Sequence, residues 1–134
     1  MRYLKKNGFE KIHVIKYSNK THNYILNMDS IEKASKYKLS NTVEYMVKSV
    51  VSKQVIKSAA GNITLFAFDE GEGLSEHSAP FDAFVHVIDG SAEITIGSKA
   101  NILTSGEFII LPSKIPHALK AIKKFKMMLV MIKA

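Results

Sequence analysis

Two histidines, His77 and His117, are the side chains of this chain best suited to chemistry. Each follows a segment that begins at a glycine, Gly71 or Gly106, and each lies beside apolar residues that favour a β-strand. Neutral imidazole is the commonest metal ligand among protein side chains, and it also binds small polar molecules. The pair therefore predicts a ligand pocket or one half of a metal site.

Two further side chains could join these histidines. A bound transition metal usually takes three or four protein ligands. Asp82 could turn inward at a bulge after Pro80 and act as a third ligand, although a solvent-facing carboxylate is the simpler expectation. His86 lies three residues beyond Ala83, and strand alternation predicts that it faces away from the interior, on a packing or dimer face.

Short apolar runs separated by turn residues continue from Val43 to the end of the chain. The runs lie at residues 50–57, 62–68, 83–88, 93–96, 101–103, 108–111, 117–122 and 125–132. Many short strands with glycine, proline and aspartate turns are typical of an antiparallel sandwich or barrel. We therefore predict an all-β fold, an antiparallel sandwich or barrel, over residues 43–134.

Two dipeptides within this region are predicted to be hairpin turns. Asp89-Gly90 is a strong hairpin signal, and Lys123-Lys124 separates the last two apolar runs. A barrel buries alternate side chains along each strand. The inner wall is expected to be apolar and to include Leu65, Val85, Ile96, Ile110 and Leu129.

Residues 1–42 are predicted to form an N-terminal extension of different character. Two strands are predicted at residues 11–17 and 21–27. Asp29 and Glu32 have the spacing of a capping box, which predicts one short helix that ends near Lys38. The boundary of the barrel domain is therefore placed between residues 42 and 43.

Positive charge is concentrated in the first part of the chain. Residues 1–57 hold 12 Lys or Arg against 4 Asp or Glu, and residues 58–134 hold 7 against 8, in a chain of formal net charge +7. All but one of the 19 basic residues are lysine, whereas bidentate recognition of bases favours arginine. Nucleic-acid binding is therefore the least favoured function.

Cysteine is absent, and no apolar run approaches the roughly 20 residues that span a bilayer. Without cysteine there is no disulfide framework, which fits a reducing compartment. The first residues also lack the uninterrupted apolar run of a secretory signal. We expect a cytoplasmic protein without a membrane partner.

The spacing of glycine, proline and histidine resembles the two motifs of the small single-domain cupins. The first motif, G(X)5HXH(X)3–4E(X)6G, matches Gly71, His77 and Gly90, and the second, G(X)5PXG(X)2H(X)3N, matches Gly106, Pro112 and His117. The resemblance covers about residues 43–132. It implies that the predicted antiparallel fold is a jelly-roll cupin β-barrel.

The metal ligands of the family are only half present. His77 and His117 occupy two of the four ligand positions, but Ala79 stands at the second histidine and Ala83 at the glutamate. Lys114 stands where the second motif has its second glycine. The resemblance therefore implies a cupin with a degenerate metal site.

Two functions follow from the resemblance. The first is a small-molecule-binding or non-catalytic module with His77 and His117 in its pocket, assembled as a homodimer through the two-sided apolar strands at 62–68 and 125–132. The second is a metal-dependent enzyme of the dioxygenase, isomerase or cyclase type. Its divalent transition metal (Fe, Mn, Ni, Cu or Zn) would be held by the same histidines with water or Asp82. No catalytic residue is predicted.

Overall fold

Nine β-strands and one 3-10 turn make up the described part of the chain in a computed structural model. The structure describes residues 2–6, 10–15 and 30–133, the first two ranges as backbone only. The elements are β1 (Arg2–Lys6), β2 (Glu10–Ile15), the 3-10 turn (Leu39–Asn41), β3 (Val50–Ser58), β4 (Gly61–Phe68), β5 (Gly73–His77), β6 (Ala83–Ile96), β7 (Lys99–Thr104), β8 (Phe108–Leu111) and β9 (His117–Ile132). Every strand pair is antiparallel, which confirms the predicted all-β fold.

The long strands β6 and β9 organise the sheet. The strand order is β1-β2-β3-β4-β9-β6-β7, with β5 paired to β9 and β8 paired to β6. The first half of β6 pairs with β8 and the second half with β7. Between the halves, the β6–β9 register shifts at Val87/Asp89 and at Gly90/Ala92. Such bulges bend a strand, so the two long strands pass from one side of the barrel to the other.

The predicted hairpins at Asp89-Gly90 and Lys123-Lys124 are wrong. Both dipeptides lie inside continuous strands, and Gly90 pairs with Phe125 across the bend. Gly90 has φ +79°, and a Cβ on it would lie 1.9 Å from the Lys124 carbonyl oxygen. Glycine tolerates both the positive φ and the close approach of the neighbouring backbone, because it has no Cβ. The chain therefore bends at these dipeptides without reversing.

The barrel interior is filled by apolar side chains. At its centre, the fully buried rings of Phe68 and Phe125 stack with centroids 4.4 Å apart and planes 6° apart. The other buried members of this cluster are Val50, Ala83, Val85, Val87, Ala92, Ile94, Leu103, Leu111, Leu119, Ala121 and Met127, with Ile96 and Leu129 partly buried against them. The prediction of an apolar inner wall is confirmed for Val85, Ile96 and Leu129.

Leu65 and Ile110 do not line the interior, and this part of the prediction is wrong. Leu65 belongs to a second buried cluster, with Val51 and Ala67, on the outer face of the sheet. Ile110 is 48% exposed. Strands β4 and β8, which carry these two residues, have apolar side chains on both faces. Alternation assigns each side chain to one of the two faces but does not tell which face points into the barrel.

Residues 39–48, here called the strap, cover part of this outer face. Val43 is fully buried in the outer cluster. The Lys126 ammonium donates to the Ser40 carbonyl at 2.6 Å, and the Tyr45 hydroxyl donates to Asp89 at 2.6 Å. Burial, followed by the hydrogen bond and charge of Asp89, raises the pKa of Tyr45. The strap is therefore held by apolar burial and by two polar contacts.

The N-terminal strands extend the sheet. β2 pairs with β3 and β1 with β2, which confirms a strand in the first part of residues 11–17. The predicted strand at 21–27 and the Asp29 cap lie outside the described residues. The predicted helix is not formed over residues 30–38, where Ala34 has φ +64°, and the helical element is instead the 3-10 turn Leu39–Asn41.

Two broader expectations for the chain remain open. The described residues include no helix with the length and apolarity to cross a membrane. The cytoplasmic location and the domain boundary between residues 42 and 43 stay predictions.

Candidate functional site

His77 and His117 face each other across two paired strands. His77 is the last residue of β5, His117 is the first residue of β9, and the two are register partners. Their Nε2 atoms are 3.2 Å apart, and the rings meet edge to face with centroids 4.4 Å apart. The structure thus brings together the two residues that the sequence singled out.

The two imidazoles differ in their exposure to solvent. His117 is only 6% exposed and shares the inward side of β9 with the core residues Leu119 and Ala121. His77 is exposed and follows a register shift that begins at Leu74. One ring therefore belongs to the barrel interior while its partner reaches water, which is the arrangement expected at the mouth of a pocket.

Hydrogen bonds to the backbone orient both rings. Nδ1 of His77 donates to the Ser75 carbonyl at 2.8 Å, and Nδ1 of His117 donates to the Ile115 carbonyl at 3.3 Å. A carbonyl oxygen only accepts, so in two neutral rings each Nε2 carries a lone pair. Two facing lone pairs at 3.2 Å repel one another. The pair is therefore arranged to receive a proton, a metal ion or the donor group of a ligand.

The buried ring is the one that resists protonation. Burial first, and then the charge of His77, lowers the pKa of His117, while the hydrogen bond to the Ile115 carbonyl acts in the opposite direction. Desolvation disfavours the charged form of an imidazole. Burial therefore keeps the His117 ring neutral to a lower pH than a fully exposed imidazole.

We expect acidification to destabilise the protein partly through His117. Because the pKa of His117 is lowered by folding, the unfolded chain binds this proton more readily, and the free energy of unfolding falls as pH drops below the unfolded value of about 6.5. Urea unfolding at several pH values, with a chelator present, should show a shallower pH slope in His117→Asn. His86→Asn is the matched control, and equal slopes in wild type and His117→Asn would contradict the assignment.

A metal of the kind that the cupin resemblance implies would need more ligands than this pair. Metal–nitrogen bonds of about 2.0–2.1 Å in a tetrahedral site place two nitrogens about 3.3 Å apart, and the observed 3.2 Å suits two ligands of one ion. Within residues 30–133, however, no three His, Cys, Asp or Glu side chains are grouped so that they could hold a metal. The residues present do not complete the site.

Asp82 and His86 have other partners. The Asp82 carboxylate is exposed and accepts the Ser113 backbone N–H at 2.8 Å, so it ties the start of β6 to the β8–β9 connection. Its role as a metal ligand stays a prediction. His86 lies opposite Phe108 and Met128 on the outer face of β6, which confirms the expectation from strand alternation.

A groove of about 300 Å³ runs beside the histidine pair. Its lining residues are Gly71, Glu72, Gly73, Leu74, Ser75, Leu119 and Lys120. Ser75 connects the groove to the pair, since its carbonyl accepts the His77 Nδ1–H, although neither imidazole lines the groove. The groove cannot be predicted from the sequence, because residues 69–76 have the glycine-rich, acidic composition of a loop. Gly73 nevertheless begins β5, where a Cβ would lie 2.1 Å from the Leu119 carbonyl oxygen.

Lys114 stands where the second motif has its second glycine, and its backbone is left-handed. It has φ +66°, in the left-handed region where a side chain costs roughly 1–2 kcal/mol. Its N–H donates to the Ala79 carbonyl at 2.7 Å. This hydrogen bond links the turn before His117 to the segment that follows His77.

Comparison with known proteins agrees with this fold. A family model described as "Cupin domain" matches residues 64–133, which is 70 of the 134 residues. The chain belongs to the cupin family. No curated protein matches the chain.

Several solved structures share the architecture. A conserved protein of unknown function from Streptococcus pyogenes is 34% identical, with a TM-score of 0.74, over 84% of this chain and 98% of that one. A "Cupin 2 conserved barrel domain protein" from Leptotrichia buccalis is 37% identical, with a TM-score of 0.70, over 72% of this chain; the match spans only 47% of that protein. A cupin superfamily protein from Desulfitobacterium hafniense, 23% identical with a TM-score of 0.74 over 81% of this chain and all of that one, shares the fold.

Proposed function

We propose that the chain is a small-molecule-binding cupin whose ligand is held at the His77–His117 pair. The observation that carries this proposal is the convergence of two Nε2 atoms 3.2 Å apart, with each Nδ1 engaged by a backbone carbonyl. Small-molecule sites combine an apolar wall with a few convergent polar groups. The pair supplies the polar groups, and the core residues beside His117 supply the wall.

The chemistry of the pair selects the class of ligand. Within residues 30–133, no third His, Cys, Asp or Glu side chain joins the two Nε2 acceptors to form a metal-binding group. Two such acceptors favour a molecule that presents a hydroxyl or protonated amine. Leu74 and Leu119, paired across β5 and β9 in the adjoining groove, can contact an apolar part of the same molecule. We therefore expect a small alcohol, diol or amine with an apolar body.

Imidazole nitrogen resonances test this proposal directly. Histidine-labelled protein would be titrated with a fragment set of alcohols, diols and amines at millimolar concentration, in wild type and in His77→Ala, His117→Ala and His86→Ala. We expect at least one compound to shift the Nε2 resonances of both paired histidines. Its affinity should fall tenfold or more in the first two variants and stay unchanged in the third, where the histidine on the outer face is removed.

Two results would overturn the proposal. One is that no compound of the set shifts either resonance. The other is that binding survives replacement of both paired histidines.

A metal-dependent cupin enzyme is the second candidate function. The 3.2 Å separation of the Nε2 atoms favours it, since this distance suits two ligands of one divalent transition metal. Alanine at positions 79 and 83, where the family motif has ligands, weighs against it. Two imidazoles leave most of the coordination sphere to water or a bound molecule, so this candidate ranks below simple ligand binding.

Metal content separates the two candidates. Stoichiometric Fe, Mn, Ni, Cu or Zn in protein purified without added metal, lost in the His77→Ala/His117→Ala double variant, would favour the enzyme. Absence of metal, with no rise in melting temperature when Zn²⁺ or Mn²⁺ is added, would rule against it. The double variant should be compared with His86→Ala to separate loss of the pair from loss of any histidine.

A further inference from the structure

Two segments of equal length connect the histidine pair to the start of β6 and the end of β8. Residues 78–82 follow His77 and lead into β6, and residues 112–116 leave β8 and lead into His117. Strand pairing fixes both ends, because the two histidines are register partners and the first residue of β6 is the register partner of the last residue of β8. The two segments therefore run side by side, with the histidine pair at one end.

Three hydrogen bonds, here called the clasp, join the two segments between these ends. The Asp82 carboxylate accepts the Ser113 backbone N–H at 2.8 Å, and the Ser113 hydroxyl donates to the Pro80 carbonyl at 3.0 Å. The Lys114 N–H donates to the Ala79 carbonyl at 2.7 Å. A hydrogen bond to a charged acceptor is stronger than one between neutral groups. Of the three acceptors in the clasp, the Asp82 carboxylate therefore contributes most.

The second segment also orients the buried ring. The Ile115 carbonyl, which accepts the Nδ1–H of His117, lies between the clasp and β9. The Ser75 carbonyl, which accepts the Nδ1–H of His77, lies within β5 and outside the clasp. The clasp therefore acts on the ring of His117 and leaves the ring of His77 to β5.

The tautomers held by these carbonyls place two acceptors opposite each other. With both Nδ1 atoms donating to the backbone, the two Nε2 lone pairs face one another at 3.2 Å. If the His117 ring were released from its carbonyl, its proton could move to Nε2 and be donated to the Nε2 of His77, which would remove the repulsion. A pair of facing acceptors therefore depends on a surrounding structure that holds the carbonyls in place.

We propose that Asp82 is a positioning residue for the histidine pair. Through the clasp it fixes the Ile115 carbonyl and keeps the proton of His117 on Nδ1, so that Nε2 stays an acceptor. Asp82 performs this role without contact with a ligand or a metal. The inference rests on the same pair as the proposed function, but it describes the protein without ligand, so that one can fail while the other holds.

Nitrogen resonances of the two rings test the proposal in ligand-free protein with a chelator present. At about pH 8, above the ordinary imidazole pKa of about 6.5, wild type should carry the proton on Nδ1 of both rings. In Asp82→Ala the proton of His117 should lie mainly on Nε2, whereas His77 should keep its proton on Nδ1, because the Ser75 carbonyl is unaffected. Asp82→Asn retains an oxygen acceptor for the Ser113 N–H and should restore the wild-type tautomers.

Asp69→Ala is the matched control. The Asp69 carboxylate accepts the Lys48 backbone N–H at 2.7 Å, which is the same kind of bond between two distant segments. It lies away from the pair, since Gly71, two residues further on, donates its N–H to Ala121, four residues along β9 from the pair. Asp69→Ala should lower the urea midpoint about as much as Asp82→Ala does and leave both tautomers unchanged.

Ser113→Ala covers the case in which Asp82→Ala does not fold. It removes the bond to the Pro80 carbonyl but keeps the backbone N–H for Asp82, so it should move only part of the His117 population to the Nε2 tautomer. Unchanged tautomers in both variants, or equal changes at His77 and His117, would overturn the proposal. So would a tautomer change in the Asp69→Ala control.

Ligand affinity gives a second readout once a compound that binds the pair is known. Its affinity should fall roughly tenfold in Asp82→Ala, the value of about one hydrogen bond, and stay at the wild-type level in Asp82→Asn. Equal affinity in wild type and Asp82→Ala would contradict the positioning role. If no compound binds, the proposed function fails, and the tautomers of the ligand-free protein still decide the role of Asp82.

Discussion

Replacing Phe125 with alanine is expected to lower the free energy of unfolding by about 3–5 kcal/mol. Phe125 has no exposed surface and stacks on Phe68, which is also fully buried, with ring centroids 4.4 Å apart. Alanine would leave a cavity beside Phe68 at the centre of the interior. Because Phe125 also pairs with Gly90, the surrounding strands have little freedom to move inward and fill it.

Urea or guanidinium unfolding measures this effect. Ile102→Ala is the control, since Ile102 is 56% exposed and its truncation should change stability by about 0.5 kcal/mol or less. Phe125→Leu should recover part of the loss by refilling some of the volume. A Phe125→Ala variant within about 1 kcal/mol of wild type would contradict the described packing.

Replacing Gly90 with alanine is expected to destabilise the fold by about 2–5 kcal/mol. Two penalties combine at this position: a left-handed backbone, which costs a side chain roughly 1–2 kcal/mol, and overpacking, which costs roughly 1–3 kcal/mol. Gly90 has φ +79°, and its added Cβ would lie 1.9 Å from the Lys124 carbonyl oxygen and 2.8 Å from the Lys124 carbonyl carbon. These atoms are backbone and cannot rotate away.

Two other glycines each show only one of these features, the left-handed backbone or the close approach. Gly97 has φ +60° with nothing within 4 Å of an added Cβ, whereas Gly73 has an ordinary φ but a Cβ that would lie 2.1 Å from the Leu119 carbonyl oxygen. We expect Gly97→Ala to cost about 1–2 kcal/mol, from the backbone alone, and Gly90→Ala to exceed it clearly. If Gly90→Ala and Gly97→Ala unfold at the same denaturant concentration, the close approach at Gly90 is not as described.

Gly90→Ala should also disturb the histidine pair. Beyond the bend at Gly90, β6 pairs with the part of β9 that carries His117, and Ile96 is the register partner of that histidine. A displaced bend would change this register and move His117 relative to His77. The imidazole nitrogen resonances of the pair would report the change, whereas Gly97→Ala, in the β6–β7 turn, should leave the bend itself intact.

The candidate site is largely predictable from the sequence because its signal is short-range. His77 and His117 each follow a glycine at a fixed spacing, and those spacings place them at the facing ends of β5 and β9. Ala79 and Ala83 likewise indicate, from residue type alone, that two of the family's ligand positions carry no donor atom. The lack of any grouping of three potential ligands within residues 30–133 agrees with this interpretation.

The tautomers of the two rings are not predictable in this way. They depend on the carbonyls of Ser75 and Ile115, which reach the rings only through the local path of the chain. The groove beside the pair is also hidden from the sequence, because the acidic, glycine-rich segment preceding His77 has the composition of a loop. The later part of this segment nevertheless belongs to β5, because β9 supplies its hydrogen-bonding partner.

Local sequence patterns are sufficient for the all-β class, most of the strands and the two histidines, because alternation and turn residues act over a few positions. The three-dimensional arrangement is needed to tell which face of each strand is inside and whether Asp89-Gly90 reverses the chain or bends it. Leu65 and Val85 look alike in sequence, yet Leu65 lies under the strap and Val85 in the interior. Inside and outside are defined by partners distant in the chain, and Gly90 bends without turning because β9 runs alongside it through the whole bend.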